Sequence, residues 1–202
     1  MYIYKETPAQ GGHKLQREHD KLKSGQESNM KKEINVLDYA DKIMNGLKGG
    51  ALLTAAADGK ANTMSISWGM MGIEWNKVLF TTFVRLSRYT LEFLEKNGEF
   101  TVSIPMEGSP RKLIAECGTT SGRDVDKAAK FGFTYVDGET VKVPAVKEFP
   151  MVLECKVIYK QLQDENAISP DDLEKNYPKD ASGKRDIHWA FTGEITKAYI
   201  LE

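Results

Sequence analysis

At 202 residues the chain is long enough for one well-buried domain with an appendage and too short for two domains of about 150 residues each. Its 28 Lys and Arg stand against 29 Asp and Glu, a net charge of -1, which disfavours nucleic acid and acidic membranes as partners and leaves any anionic ligand to a local cluster. No apolar run approaches the roughly 20 residues of a membrane helix, no secretion signal opens the chain, and Cys117 and Cys155 lack metal-ligand spacing, so a cytoplasmic protein with reduced thiols is expected.

Residues 1–29 are polar and show no apolar periodicity; they are expected to be a disordered or expression-derived arm, with Met30 a second candidate start and 30–202 the folded domain. His13 and His19 lie six apart in that arm, a spacing that suits a helical pair of metal ligands poorly. From Asn35 onward Val36, Tyr39, Ala40, Ile43, Met44 and Leu47 recur at helical intervals, and Gly49-Gly50 ends the run. Two extended runs, 51–56 and 61–68, flank Asp58-Gly59, a strong hairpin signal. The β-branched and aromatic run 77–84 predicts a third strand, 88–97 a helix ended by Gly98, and 100–104 a fourth strand ended by Pro105. Residues 111–130 read as two short helices broken around 118–122, and 131–143 as a turn-rich stretch with a hairpin. A fifth strand over 151–159 has one wetter face, a polar excursion with Pro170 and Pro178 fills 163–182, and a strand around Gly193 closes the chain over 188–200. The strands outnumber the helices and follow one another antiparallel, so the fold expected is mainly β with peripheral helices, a small barrel.

Three segments carry polar groups that strands and turns do not need. In the first, Asn62, Met64, Ile66 and Trp68 alternate with Thr63, Ser65 and Ser67, so that one face packs while the other is free to donate hydrogen bonds or simply to meet water. In the second, Arg85, Ser87, Arg88, Tyr89 and Thr90 surround a helix N-terminus, which suits a phosphate monoester; the plainer reading makes Ser87 a helix cap. In the third, Gly118 and Gly122 bracket hydroxyl residues before Asp124, Asp126 and Lys127, permitting close approach of backbone to a ligand, without the order of a nucleotide-binding GxxxxGK[ST] loop. Cys117 has no neighbouring base and reads as a packed thiol, and His188, the sole histidine of the globular part, reads as a surface or structural residue and not as a heme ligand.

Taken together, Ala61-Asn62-Thr63-Met64-Ser65-Ile66-Ser67-Trp68-Gly69, then Phe83 through Thr90, then Cys117-Gly118 with Ser121-Gly122-Arg123-Asp124-Val125-Asp126-Lys127, resemble the flavin reductase-like family, particularly its flavoredoxin branch. The resemblance extends over 47–202. It implies an FMN-binding split β-barrel that forms a homodimer, with the flavin in a groove near the subunit boundary; FAD is the alternative cofactor. It also implies that Thr63, Met64, Ser65, Ile66 and Ser67 run beside the isoalloxazine and ribityl chain. Arg85, Ser87, Arg88, Tyr89 and Thr90 would meet the phosphate, and Ser121, Gly122 and Lys127 would form a second loop near the cofactor.

The activity implied is that of a flavoprotein oxidoreductase, moving electrons from NAD(P)H or a protein donor to flavin, ferric iron or a redox partner. The alternative is a non-catalytic, flavin-binding electron carrier or sensor module, for which the excursion over 164–185 would serve as a partner-binding flap instead of a lid. No metal, nucleic acid or membrane role is expected.

Overall fold

The computed structural model describes residues 30–202; the expectations for the 1–29 arm, His13 and His19 included, lie outside the described residues. The chain runs through β1 (Lys31–Glu33), a 3-10 turn (Val36–Tyr39), α1 (Ala40–Lys48), β2 (Ala51–Ala57), β3 (Lys60–Ile66), β4 (Gly69–Glu74) and β5 (Lys77–Arg85). It continues with α2 (Tyr89–Asn97), β6 (Glu99–Ile104), α3 (Lys112–Thr119), α4 (Lys127–Phe131), the short pair β7 (Tyr135–Val136) and β8 (Ala145–Val146), and β9 (Met151–Leu162). A 3-10 turn (Glu165–Ala167), α5 (Pro170–Asn176) and β10 (His188–Leu201) complete it.

The main sheet is antiparallel, in the order β3-β2-β6-β9-β10-β5-β4, with β1 also paired to β10. The two long strands β9 and β10 are its spine, and one edge of β10 pairs with β5 over His188 to Glu194 and with β1 over its last residues. Bulges at Thr192/Gly193 and Ile195/Lys197 bend β10, and Gly193 is required there, since a Cβ would lie 2.8 Å from Phe100 and 2.9 Å from Cys155. The end strands β3 and β4 follow one another in sequence yet do not pair, so the sheet curls round its core and stays open at one seam. That is a split β-barrel, the fold expected.

Inside it Phe80, Phe100, Phe191, Leu53, Ile43 and Leu94 are buried together. Leu52, one residue along β2, points the other way into a second cluster with Leu113, Cys117, Phe133, Val146 and Phe149. Burial on both faces explains why β2 reads as a continuous apolar run.

The Asp58-Gly59 turn has φ of 53° and 72°, the doubly left-handed form whose twist matches paired strands. The same form recurs at Trp75 (φ 51°) and Asn76 (φ 59°), joining β4 to β5. Strand β4 is the element the sequence pattern missed: its turn has no glycine, and Met70 and Ile73 stay exposed, so no alternation marks it. Three smaller corrections follow. The first helix opens as a 3-10 turn under the Asn35 cap, the sheet takes in Lys31–Glu33 ahead of Asn35, and the polar excursion contains α5, with Ser169 as cap and Pro170 in its first turn.

Candidate functional site

The open seam forms a cleft of about 390 Å³. One wall is the end of β3, where Met64, Ser65, Ile66 and Ser67 lead into Trp68; facing it are Phe83 and Arg85 on β5, Arg88 beyond it, and His188 at the start of β10. Lys48, Gly49 and Gly50, together with Ile114 of α3, close the cleft elsewhere. Among the described residues three cationic side chains line it and no carboxylate does, in a chain of net charge -1. The cleft therefore favours an anion by local design, and its Trp68, Phe83 and Ile114 surfaces favour a flat apolar body.

What β3 offers is its backbone edge more than its side chains. Met64 and Ile66 are buried in the barrel core. On the opposite face Thr63 Oγ1 bonds Thr54 Oγ1 at 2.8 Å and the Tyr135 hydroxyl at 2.9 Å, while Gly118 presses so close to Ser65 that a Cβ would lie 2.2 Å from its Oγ. The two faces separate as expected, but α3 docks on the hydroxyl side, and the hydrogen bonds of Thr63 there go to the protein itself. Among the described residues, however, the outer edge of β3 has no strand partner. Lys127 Nζ reaches the Thr63 carbonyl at 2.7 Å on that edge, and since alternate residues of an antiparallel strand direct N–H and C=O to the same side, Ser65 also turns its backbone groups away from β2.

The turn into α2 is more committed than its sequence suggests. Arg85 donates to the carbonyls of Asp186 (2.7 Å) and Asn176 (3.0 Å) and lies over the Tyr177 ring. Ser87 gives both its N–H (3.0 Å) and its hydroxyl (2.7 Å) to the Asp186 carboxylate, and the cap position of α2 is Arg88, without a side-chain cap. The cap reading of Ser87 is therefore corrected: its donors hold the excursion before β10 in place. Arg88 makes one bond, to the Gly118 carbonyl at 3.2 Å, and leaves most of its guanidinium to the cleft.

The remaining predicted residues lie behind this cleft. Thr90 is buried and accepts from Asn62 Nδ2 at 2.7 Å; Tyr89 stacks edge-on to Phe93 with Arg123 over its ring. Ser121 Oγ accepts from the Arg123 N–H at 3.2 Å, and Gly122 lies against Asn62, where a Cβ would be 1.9 Å from Oδ1. The close approach that Gly118 and Gly122 permit is to β3, and Gly122 also lines, with Asn62, Tyr89 and Lys127, a separate cavity of about 610 Å³. Lys127 is buried and holds the Thr63 and Cys117 carbonyls, both at 2.7 Å, and burial lowers its pKa. Burial pushes the Cys117 thiol up to about 11, so it is a packed and unreactive group.

His188, expected to be a surface or structural residue, is buried and lines the cleft beside Trp68, at 5.2 Å between ring centroids, and near Phe83. Its Nδ1 lies 2.8 Å from the Tyr177 hydroxyl, which also bonds Gln163 Oε1 at 2.9 Å. The amide oxygen only accepts, so the single Tyr177 proton goes to it and His188 Nδ1 donates to Tyr177; Nε2 is left as an unprotonated acceptor. Burial, aided by Arg85, pulls the His188 pKa down to about 4. Trp68, Phe83 and the Lys48-Gly49-Gly50 corner were likewise not among the predicted contacts; the two glycines after a basic helix end were the available signal.

Residues 46–202 match the flavin reductase like domain family. An uncharacterized protein of Archaeoglobus fulgidus is 30% identical over 160 residues, 78% of this chain and 86% of that protein. The crystal structure of flavoredoxin from Methanosarcina acetivorans superimposes with a TM-score of 0.57 at 31% identity, covering 76% of this chain and 68% of the other. Flavoredoxin of Desulfovibrio vulgaris (Miyazaki F) does so with a TM-score of 0.57 at 27% identity, over 76% and 69%. With most of its length in the family's match and flavoredoxins among its structural neighbours, this chain belongs to the flavin reductase-like family, in its flavoredoxin branch.

Proposed function

We propose that the seam cleft binds FMN and that the protein is a flavoprotein oxidoreductase. The observation that carries this reading is the cleft's composition among the described residues: a strand edge without a strand partner, aromatic and apolar walls, and three cations without an acid, in a chain of this family. These residues fit the cofactor. The edge of β3 at Ser65 would serve the hydrogen-bonding rim of a flat ring, Trp68, Phe83 and Ile114 its faces, and Arg88 with Lys48 a phosphate. Arg85 and Ser87, already committed to the excursion, shape the turn instead of gripping the ligand.

Bound there, FMN would supply the redox chemistry, accepting electrons from NAD(P)H or a protein donor and passing them to free flavin, ferric iron or a partner protein. The chain's own part is to bind, orient and tune. His188, neutral near pH 7, offers an acceptor into the cleft without adding charge, and α5 with the excursion keeps the Tyr177 hydroxyl on its Nδ1.

The homodimer belongs to the same proposal. Met70, Thr81, Thr192 and Tyr159 stand opposite one another across β4, β5, β10 and β9, with Met70 and Tyr159 exposed, and Ile73 and Trp75 add apolar surface at the hairpin tip. A second copy seated on that face would adjoin the cleft, which shares Phe83 with the same outer surface.

The test is the spectrum of the purified protein and its titration with FMN, FAD and riboflavin, followed by anaerobic NADH and then NADPH. Flavin absorbance retained or acquired with FMN is expected; a protein that binds none of the three refutes the proposal. Rapid bleaching by a nicotinamide marks a reductase, and inertness to both with reduction by a protein donor marks a carrier.

A further inference from the structure

Lys127 is buried, at 6% exposure, and among the described residues no carboxylate pairs with it. Its ammonium has three donors and is held by two backbone carbonyls, those of Thr63 and Cys117, both at 2.7 Å. Neutral carbonyls solvate a charge without cancelling it, and the nearest cation of the cleft, Arg88, works against it. A buried, uncompensated ammonium is costly, and a simple packing role would be met by a methionine of similar volume.

Its placement suggests what the charge is for. The Thr63 carbonyl lies on the unpaired edge of β3, and the next outward-facing group along that edge is the Ser65 N–H, at the wall of the cleft. The Cys117 carbonyl immediately precedes Gly118, which packs on Ser65 and whose own carbonyl takes Arg88. Both anchors of the ammonium are thus within two residues of Ser65, at the wall of the cleft, or of Gly118, which backs it, while Lys127 itself is not among the residues that line the cleft.

Resting on the FMN reading above, we propose that Lys127 is a positioning residue that sets the redox balance of the bound cofactor: its buried charge favours the reduced flavin over the oxidised one and raises the two-electron potential. Oxidised FMN has a neutral ring; two electrons and one proton convert it to a ring monoanion, with the electrons coming from the reductant in the assay. A fixed positive charge behind the edge of β3 interacts with that added negative charge and with nothing comparable in the oxidised ring, so its effect is differential. Lys127 also orients the Thr63 carbonyl, which keeps the β3 edge in register for the ring.

The experiment is a redox titration of FMN-loaded wild type, K127Q, K127M and K127R, with dissociation constants for oxidised and reduced FMN and the thermal stability of the FMN-free proteins. K127Q and K127M should weaken reduced FMN about tenfold more than oxidised FMN, lowering the midpoint by about 30 mV for a two-electron couple, and K127R should restore it. A purely structural lysine would lower stability and both affinities together and leave the midpoint in place; that result overturns the inference. If the neutral variants melt too low to load, the wild type decides: a midpoint above that of free FMN is expected, and one equal or lower overturns the role of Lys127. Failure of wild type to bind FMN would sink the cofactor reading instead, so the two failures are distinct.

Discussion

Acidification provides a direct test of the cleft's construction, through His188. The ring is buried between Trp68, Phe83 and Tyr177, with Arg85 close by, and its pKa falls from the ordinary 6.5 to about 4. The unfolded chain therefore takes up a proton at this position at a higher pH than the folded one. Stability from the neutral ring is fully present above pH 6.5, is lost progressively as pH falls towards 4, and changes no further below that. At about 1.36 kcal/mol per pH unit the whole displacement is worth about 3 kcal/mol; because the cleft admits water on one side of the ring, about 2 kcal/mol is expected. The assay is urea unfolding at intervals from pH 7.5 to 4.5 for wild type and His188→Asn, whose amide can still donate to Tyr177. Groups common to both proteins cancel in the difference, among them Glu154, whose carboxyl is held below its usual range by the N–H groups of Glu139 and Thr140 against the effect of burial. Wild type should lose about 2 kcal/mol more than H188N across that window. Parallel pH dependence of the two proteins, or a His188 ring resonance titrating near 6.5, would refute the placement of a neutral imidazole in the cleft.

The commitments of the two arginines lead to opposite expectations for their loss. On the FMN reading, Arg88→Met should weaken FMN tenfold or more and leave riboflavin almost unchanged, because the guanidinium is free to meet a phosphate; equal losses for both ligands would contradict this. Arg85→Met should release the segment between β9 and β10, seen as new protease cuts within 163–187 while far-UV circular dichroism keeps the barrel signal; unchanged resistance would show that Asp186 and Tyr177 hold the segment without it. Gly122→Ala should cost about 1–3 kcal/mol in denaturant unfolding, since the new Cβ forces Asn62 off Thr90, whereas Gly72→Ala, with open space at its Cβ, should stay within about 0.5 kcal/mol. A neutral G122A would mean that Asn62 repacks freely.

How much of this was legible beforehand depends on the range of the interactions involved. The Asp58-Gly59 hairpin and the end of α2 at Gly98, with φ of 66°, are local events, and two residues suffice to encode each. The left-handed turn at Trp75-Asn76 obeys the same geometry but lacks glycine, so β4 left no comparable mark. In the site, alternation along β3 correctly separated Met64 and Ile66 from Thr63 and Ser65, but the docking of α3 on the hydroxyl face comes from a segment some fifty residues away. The capture of Ser87 by Asp186 spans 99 residues, and nothing near Ser87 announces it. His188 was undervalued for the same reason: its role depends on Tyr177 and Gln163, which the excursion brings back to the seam.

The open seam ties these observations together. An unpaired edge in the middle of a chain's fold is a liability, since its N–H and C=O groups invite pairing with another strand. Here α3 covers one face of β3 and Lys127 caps the Thr63 carbonyl, and the next outward backbone along that edge, at Ser65, stands at the wall of the cleft. On the FMN reading, a ligand that meets the β3 edge at Ser65 is coupled to the stability of the barrel, because among the described residues β2 is the one strand paired with β3. At a ligand concentration a hundred times the dissociation constant, the coupling amounts to about 2.7 kcal/mol. On that reading the empty protein is the weaker one, and ligands that fill the cleft without meeting the β3 edge are expected to leave that edge as open to exchange as before.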